Sequence, residues 1–393
     1  MRCVGSDRSH GIDMLCAPCG RRGPWSSTRK LNERPVSMPR PKTVLAEPAF
    51  RTRSANPYNA RLYEQVEAHG WRVQEFSLRR LLQGPEIVHM HWPELLFLTS
   101  HRPWEVAWRL FTFSACLRVA RARGTRLVWT AHNLEAHEER STPEMRARLR
   151  RLWGQEVDGV LVLSENAIQS VQQVFPEFAD VPVKITPHGH YRDDYLVDQT
   201  AEEARQALGI DPERTLIAYV GAIRAYKNVP ALLQAFSELD DPGTELIIAG
   251  APTRAIADDL TARAQDAPRI RMHLGRLSED EMARWLRAAN LVVLPYLTIQ
   301  NSGSAILALS ADRPVVAPAL GAIPELAREV GSEWVFTYDG PFTAQTLERA
   351  MEWLRDTPRP ARPDLGALDW STIGRLTIAA YDEIQSMPRQ RRS

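Results

Sequence analysis

Pro295–Ala317 reads PYLTIQNSGSAILALSADRPVVA. An apolar run, Leu291 to Leu294, precedes it and reads as a buried strand that ends at Pro295. A small polar loop follows, Asn301-Ser302-Gly303-Ser304, then an apolar helical turn from Ala305 to Leu309. A second strand, Val315-Val316-Ala317, comes after Arg313-Pro314. A strand, a loop of small residues and a helix start aim free backbone N–H groups and the positive helix end at an anion. Small side chains let a phosphate approach the backbone closely. The same layout also serves as a plain strand-to-helix turn with a serine N-cap.

Outward from this stretch the pattern repeats. Thr215 to Val220 reads as a strand ending in Gly221, Glu245 to Ala249 as one ending in Gly250, and Ile270 to Leu274 as one ending in Gly275. Val229 to Leu239 reads as a helix, and Ser278 opens another with Glu279 and Asp280 in its first turn. The first half has strands at Thr43–Ala46, Ile87–His91, Arg126–Thr130, Gly159–Leu163 and Val183–Thr186, with a helix from about Ala60 to His69. Alternating strands and helices indicate parallel α/β sheets, and near-continuous apolar strands indicate sheets covered on both faces. The charged stretch Asp193–Arg205 reads as a linker between two such domains in series. Asp369-Trp370-Ser371 opens a terminal helix running through Tyr381 and Ile384.

The chain has 393 residues, 44% of them hydrophobic and 25% charged, as in a globular protein of two or three domains. A net charge of +1 makes no case for nucleic acid as a partner. No apolar run reaches the ~18 residues of a membrane span, and no secretory signal is visible. Residues 1–37 lack periodicity and read as a disordered tail, with Met38 a candidate start. Three of the four cysteines lie in that tail; Cys16-Ala17-Pro18-Cys19 has neither a second pair nor a strand–helix setting, and reads as chance. One cysteine in the body suits a reducing cytosol. Neither half carries G-x-G-x-x-G after its first strand or G-x-x-x-x-G-K-[ST], which argues against a simple NAD enzyme and a P-loop NTPase.

In doubly wound sheets ligands bind beyond the carboxyl ends of the strands, and there the polar residues cluster. The first half supplies His89, His91, His132, Asn133, Glu138 and His188; the second supplies Gly221, Arg224, Lys227, Gly275 and the loop Asn301–Ser304. Arg224 and Lys227, on one face of a turn, suit a diphosphate, Arg as a fork and Lys as a point charge; a solvated basic loop is the other reading. His89 and His91 point to one face of a strand, yet no carboxylate or cysteine sits at tight spacing, and a metal site is not expected. Trp104 to Arg123, followed by Arg146, Arg148, Arg150 and Arg151, is amphipathic and basic. It reads either as a surface for an anionic membrane or as a core helix with a basic outer face.

These segments together resemble the GT-B glycosyltransferases over nearly the whole chain from Pro39. GAIRAYKNVPALLQAF resembles the family segment whose Gly, Arg and Lys, here Gly221, Arg224 and Lys227, grip the donor diphosphate. IRMHLGRLSEDEMARWLRAANLVVLPY resembles the stretch whose Gly275-Arg276-Leu277 backbone faces the nucleotide base, and PVVAPALGAIPEL the closing strand and loop. VWTAHN resembles the strand end whose histidine, here His132, reaches the donor sugar. ITPHGHY, with His188, takes the place of the usual Asn-Gly loop, and DWSTIG resembles the segment crossing back to the first domain.

The resemblance implies an α/β GT-B fold of two Rossmann-like, doubly wound domains facing across a cleft. Residues 38–195 would form an acceptor domain, 205–365 a nucleotide-sugar domain, and 366–390 a terminal helix packing back on the first. The two glutamates of the large retaining subgroup are absent: Ile299 and Leu307 stand at those positions, leaving Asn301, Ser302, Gly303 and Ser304 to hold phosphate by backbone. With HMHWPE and TPHGHYRDDY, this looks more like the bacterial exopolysaccharide β-mannosyltransferases that use GDP-mannose. The resemblance then implies metal-independent, inverting transfer of mannose to a lipid-linked or polysaccharide acceptor. No cofactor is expected, and the place implied is the cytoplasm, at the inner face of the cell membrane. His132 is the first candidate for the base, with Glu138 and His91 next. Retaining transfer from a UDP-sugar and a nucleotide-sugar epimerase are the alternatives.

Overall fold

The computed structural model describes residues 41–54, 56–132, 141–195, 199–264 and 267–389. The expected tail over 1–37, Asn133 and the candidate base Glu138 lie outside the described residues. The strands form two six-stranded sheets, and every strand pairing is parallel. The first holds β1 (Thr43–Glu47), β2 (Arg72–Glu75), β3 (Ile87–Met90), β4 (Arg126–Thr130), β5 (Gly159–Val162) and β6 (Val183–Ile185), in the order β2-β1-β3-β4-β5-β6. The second holds β7 (Thr215–Val220), β8 (Thr244–Gly250), β9 (Ile270–Leu274), β10 (Leu291–Val293), β11 (Val315–Pro318) and β12 (Val335–Tyr338), in the order β12-β11-β10-β7-β8-β9.

The orders locate two switch points. In the second sheet the chain runs outward from β7 through β9, then returns to lay β10 against the other side of β7, with Leu291 opposite Ile217. The connections after β7 and β10 therefore leave in opposite directions and open a crevice between them. In the first sheet the same reversal falls between β1 and β3.

Three elements depart from the sequence expectation. β2 and β12 were not expected; each is a short edge strand with only part of its length buried, so neither shows a continuous apolar run. The presumed linker Asp193–Arg205 runs into a helix, Ala201–Leu208, closed at its start by a capping box of Thr200 and Glu203. Its apolar contact with the core is narrow, Ala204 with Leu208 one turn on, and charged residues fill most of its surface. The Arg205 guanidinium is spent on the carbonyls of Ala288, Pro212 and Arg214.

The terminal helix Trp370–Ser386 packs on the first sheet. Ile373, Ala380, Tyr381 and Ile384 share a core with Val44, Leu62, Val128 and Leu161. Its entry is fixed by the Trp370 indole N–H, which donates to the His190 carbonyl at 2.8 Å. A Cβ on Gly189 would stand 2.3 Å from that indole, so the approach needs a glycine there.

Candidate active site

At the switch point of the second sheet, Gly221 directly follows β7 and the loop after β10 leads to the helix Gly303–Ser310. The Ser302 hydroxyl accepts from the Ala305 N–H at 3.0 Å and so caps this helix. The first N–H groups of a helix lack partners within it, and Gly303 and Ser304, which carry two of them, line the cavity. A Cβ on Gly221 would stand 3.7 Å from Ser304 Oγ, which shows how close the two strand ends come. The Tyr296 hydroxyl bonds Ser302 and Ser304, and Lys227 Nζ stands 5.6 Å from the centre of the Tyr296 ring. Burial, helped by the Arg224 charge, pulls the Lys227 ammonium down to about 8. A lysine so placed gains by meeting an anion.

The first sheet supplies the opposite wall. Asn301 Nδ2 donates to the His132 carbonyl at 3.1 Å, tying the loop of one sheet to the strand end of the other. The His132 ring stacks on Trp92, centres 4.4 Å apart, and Tyr58 meets it edge-on. Burial, reinforced by the neighbouring His188 and His89, holds His132 well below the usual histidine range and therefore neutral. His188 Nδ1–H donates to the Gly189 carbonyl at 2.8 Å, so its Nε2 accepts the Tyr191 hydroxyl at 3.2 Å. Burial lowers His188 to about 4.

These groups line one cavity of about 880 Å³. His132, His188, Gly221, Lys227, Asn301, Ser302, Gly303 and Ser304 are all on its wall. Ile299 and Leu307, standing where glutamates were looked for, line it too. Two polar atoms of its lining residues, Ser164 Oγ and Asn301 Oδ1, are buried with no hydrogen-bond partner among the described residues. Such atoms suit a ligand rich in hydroxyls.

The remaining expected site residues stand elsewhere. Arg224 turns a guanidinium nitrogen to the carbonyls of Ile223 and Ala251, at 2.9 and 3.1 Å, and is off the cavity wall. Gly275, Arg276 and Leu277 are off it as well: Arg276 is exposed and Leu277 packs into the core, while Met282 lines the cavity from the helix beyond. His91 is buried one layer behind His132. Among the described residues no group of three His, Cys, Asp or Glu side chains is placed to hold a metal ion, because the clustered histidine nitrogens bond one another and nearby hydroxyls. Trp92, Ser164 and Tyr191 were missed as lining residues. Trp92 and Ser164 follow strand ends closely, which could have signalled them; Tyr191 lies farther along the loop after β6.

Two doubly wound sheets meeting at a cleft are the GT-B architecture, and the solved structures agree. HepE from Anabaena, in complex with UDP and glucose, superposes with a TM-score of 0.61 at 16% identity, covering 88% of this chain and 100% of that one. WaaG, a glycosyltransferase involved in lipopolysaccharide biosynthesis, gives 0.57 at 18% identity over 88% and 100%. The family model for glycosyl transferases group 1 matches residues 214–355. The GDP-mannose:glycolipid 4-beta-D-mannosyltransferase of Xanthomonas campestris pv. campestris is 36% identical over 87% of this chain and 92% of that protein. A D-inositol 3-phosphate glycosyltransferase of Mycobacterium sp. (strain KMS) is 32% identical over 52% of this chain and 48% of its own length. The chain belongs to the group 1 glycosyltransferases and is a glycosyltransferase.

Proposed function

We propose that the protein transfers mannose from GDP-mannose to a glycolipid acceptor with inversion and without a metal ion. The observation that carries this reading is the cross-sheet contact of Asn301 with His132, which sets a phosphate cradle and a neutral imidazole on one cavity. The named activity of the Xanthomonas relative supports the donor and acceptor. The cradle amides and Lys227 meet the diphosphate, whose negative charge grows as it leaves. The acceptor oxygen bonds the anomeric carbon while the bond from that carbon to the diphosphate breaks, its electron pair leaving with the phosphate. His132 takes the proton of the acceptor hydroxyl. Ile299 and Leu307 offer no carboxylate to the sugar or ribose, which counts against the retaining alternative. Incubation with GDP-mannose and a glycolipid extract, followed by NMR of the product, should give a β-mannoside in the presence of EDTA. An α-linked product, turnover of UDP-sugars only, or epimerisation without acceptor would overturn the reading.

The acceptor side carries the membrane expectation. No helix among the described residues is long and apolar enough to cross a membrane. On the helix Pro103–Arg121, Trp104, Trp108 and Phe111 are 65%, 62% and 62% exposed, and Leu95 stands out at 69%. The inner face of that helix, Val106, Leu110, Phe113 and Leu117, is core. Arg102, Arg109 and Arg118 are exposed, but Arg121 is buried in ion pairs with Glu156 and Asp158 and serves the fold. We infer that the aromatic face docks on an anionic bilayer. Flotation with vesicles containing anionic lipid should be lost in the Trp104→Ser/Trp108→Ser double variant; unchanged flotation sinks the idea.

A further inference from the structure

Behind His132 lies a chain of rings that the transfer reaction, as described, does not use. His132 Nε2 is 2.9 Å from His91 Nδ1, and His91 Nε2 is 2.6 Å from the Tyr63 hydroxyl. Tyr63 is 2.9 Å from His89 Nδ1, which the Tyr381 hydroxyl also approaches, at 2.6 Å. His89 Nε2 is 2.7 Å from Thr130 Oγ1. His89, His91, Tyr63 and Tyr381 are buried, and among the described residues the side-chain hydrogen bonds of the three histidines involve no carboxylate. The chain joins β3, β4, the helix Tyr58–Ala68 and the terminal helix, so it occupies a rigid part of the fold.

A neutral imidazole has one N–H and one lone pair, so the bonds restrict where the protons sit. Two orders satisfy the chain. In the first, His132 Nε2–H donates to His91 Nδ1, His91 Nε2–H donates to Tyr63, and both tyrosine hydroxyls point at a lone pair on His89 Nδ1. His89 Nε2–H then donates to Thr130. In the second, all these bonds reverse, His89 Nδ1 carries the proton, and the Tyr381 proton must turn away from the ring it approaches at 2.6 Å. Two hydroxyls converging on one nitrogen do not choose between the orders, because that nitrogen has a single lone pair or a single N–H to share; the base role proposed for His132 selects the first order. That order leaves His132 Nδ1 with a lone pair, the state a general base needs; the reversed order leaves an N–H there.

We infer that His91, backed by Tyr63 and His89, is a positioning residue that fixes the tautomer of His132 with its Nδ1 lone pair free. It never touches substrate. The assignment extends the reading of His132 as the base and rests on it.

Nitrogen-15 NMR of the full chain with labelled histidine, without substrate, should show His132 protonated on Nε2. His91→Leu should shift that resonance to a mixture of tautomers and lower kcat about 10²-fold, with the donor KM little changed. His91→Asn, whose Oδ1 accepts where Nδ1 did, should restore most of that loss. Tyr63→Phe removes a single oxygen; it should lower kcat several-fold and loosen the tautomer while the chain stays folded. A wild-type His132 protonated on Nδ1, or full kcat in a folded His91→Leu or Tyr63→Phe, overturns the inference. Full activity in His132→Gln would instead overturn the base reading, and the wild-type spectrum separates the two failures.

Discussion

The two sheets meet their switch points differently. Between β7 and β10 the second sheet ends in glycine and small polar residues, and the crevice stays open to a ligand. At the β1–β3 switch point of the first sheet, Tyr63, His89 and His91 fill the space between the strands and the terminal helix. One reversal of strand order thus leaves an open cavity, and the other makes a buried polar core behind His132. A switch point supplies a crevice; the side chains decide whether it holds a ligand.

The largest effects should separate the two. Lys227→Ala should cost about 10²- to 10³-fold in kcat/KM, the size of losing one oxyanion donor, and should weaken GDP binding. His132→Gln should cost a similar factor, about 10²- to 10⁴-fold, in kcat alone and leave GDP affinity unchanged. Steady-state kinetics with calorimetric titration of GDP checks both. Equal weakening of GDP by the two variants would erase the distinction between open and sealed halves.

A smaller effect tests the sealed half by pH. Burial pushes His89 down to about 3, against about 6.5 for an exposed histidine. Between those values the unfolded chain binds more protons, so stability is complete above pH ~6.5 and drains as the pH falls toward 3. The contribution is on the order of a few kcal/mol. Urea unfolding at stepped pH should show a shallower acid loss in His89→Gln than in wild type; identical slopes would mean that this ring is not sealed.

The smallest effect belongs to the open half. With Lys227 at about 8, a bound diphosphate should raise its pKa again. GDP binding at pH 8 should therefore take up about half a proton, and almost none at pH 6.5. Titration calorimetry in two buffers of different ionisation heat measures this. No uptake at pH 8 would place Lys227 away from the phosphate.

Much of the open half was legible in sequence because its signals are local. A strand, a small polar loop and a helix start lie within Leu291–Leu309, a spacing that suits either an anion cradle or a plain capped turn. What the sequence reading missed lies where a side chain's direction depends on distant packing. Arg224 is drawn to the Ala251 carbonyl, Leu277 into the core, and Ala201–Leu208 is a helix despite its polar face. The H-x-H run marked His89 and His91 as polar and inward but could not tell a wall from the layer behind it.

By itself the sequence determined that strands would be parallel and covered on both faces, that residues 301–304 would be small and polar, and that no glutamates would stand at 299 and 307. These are properties of composition and short-range spacing. Only the tertiary structure decided which strand ends became neighbours and which histidine met the Asn301–Ser304 loop. His132 and Asn301 lie 169 residues apart, and their contact exists because the strand ends of two separate sheets meet.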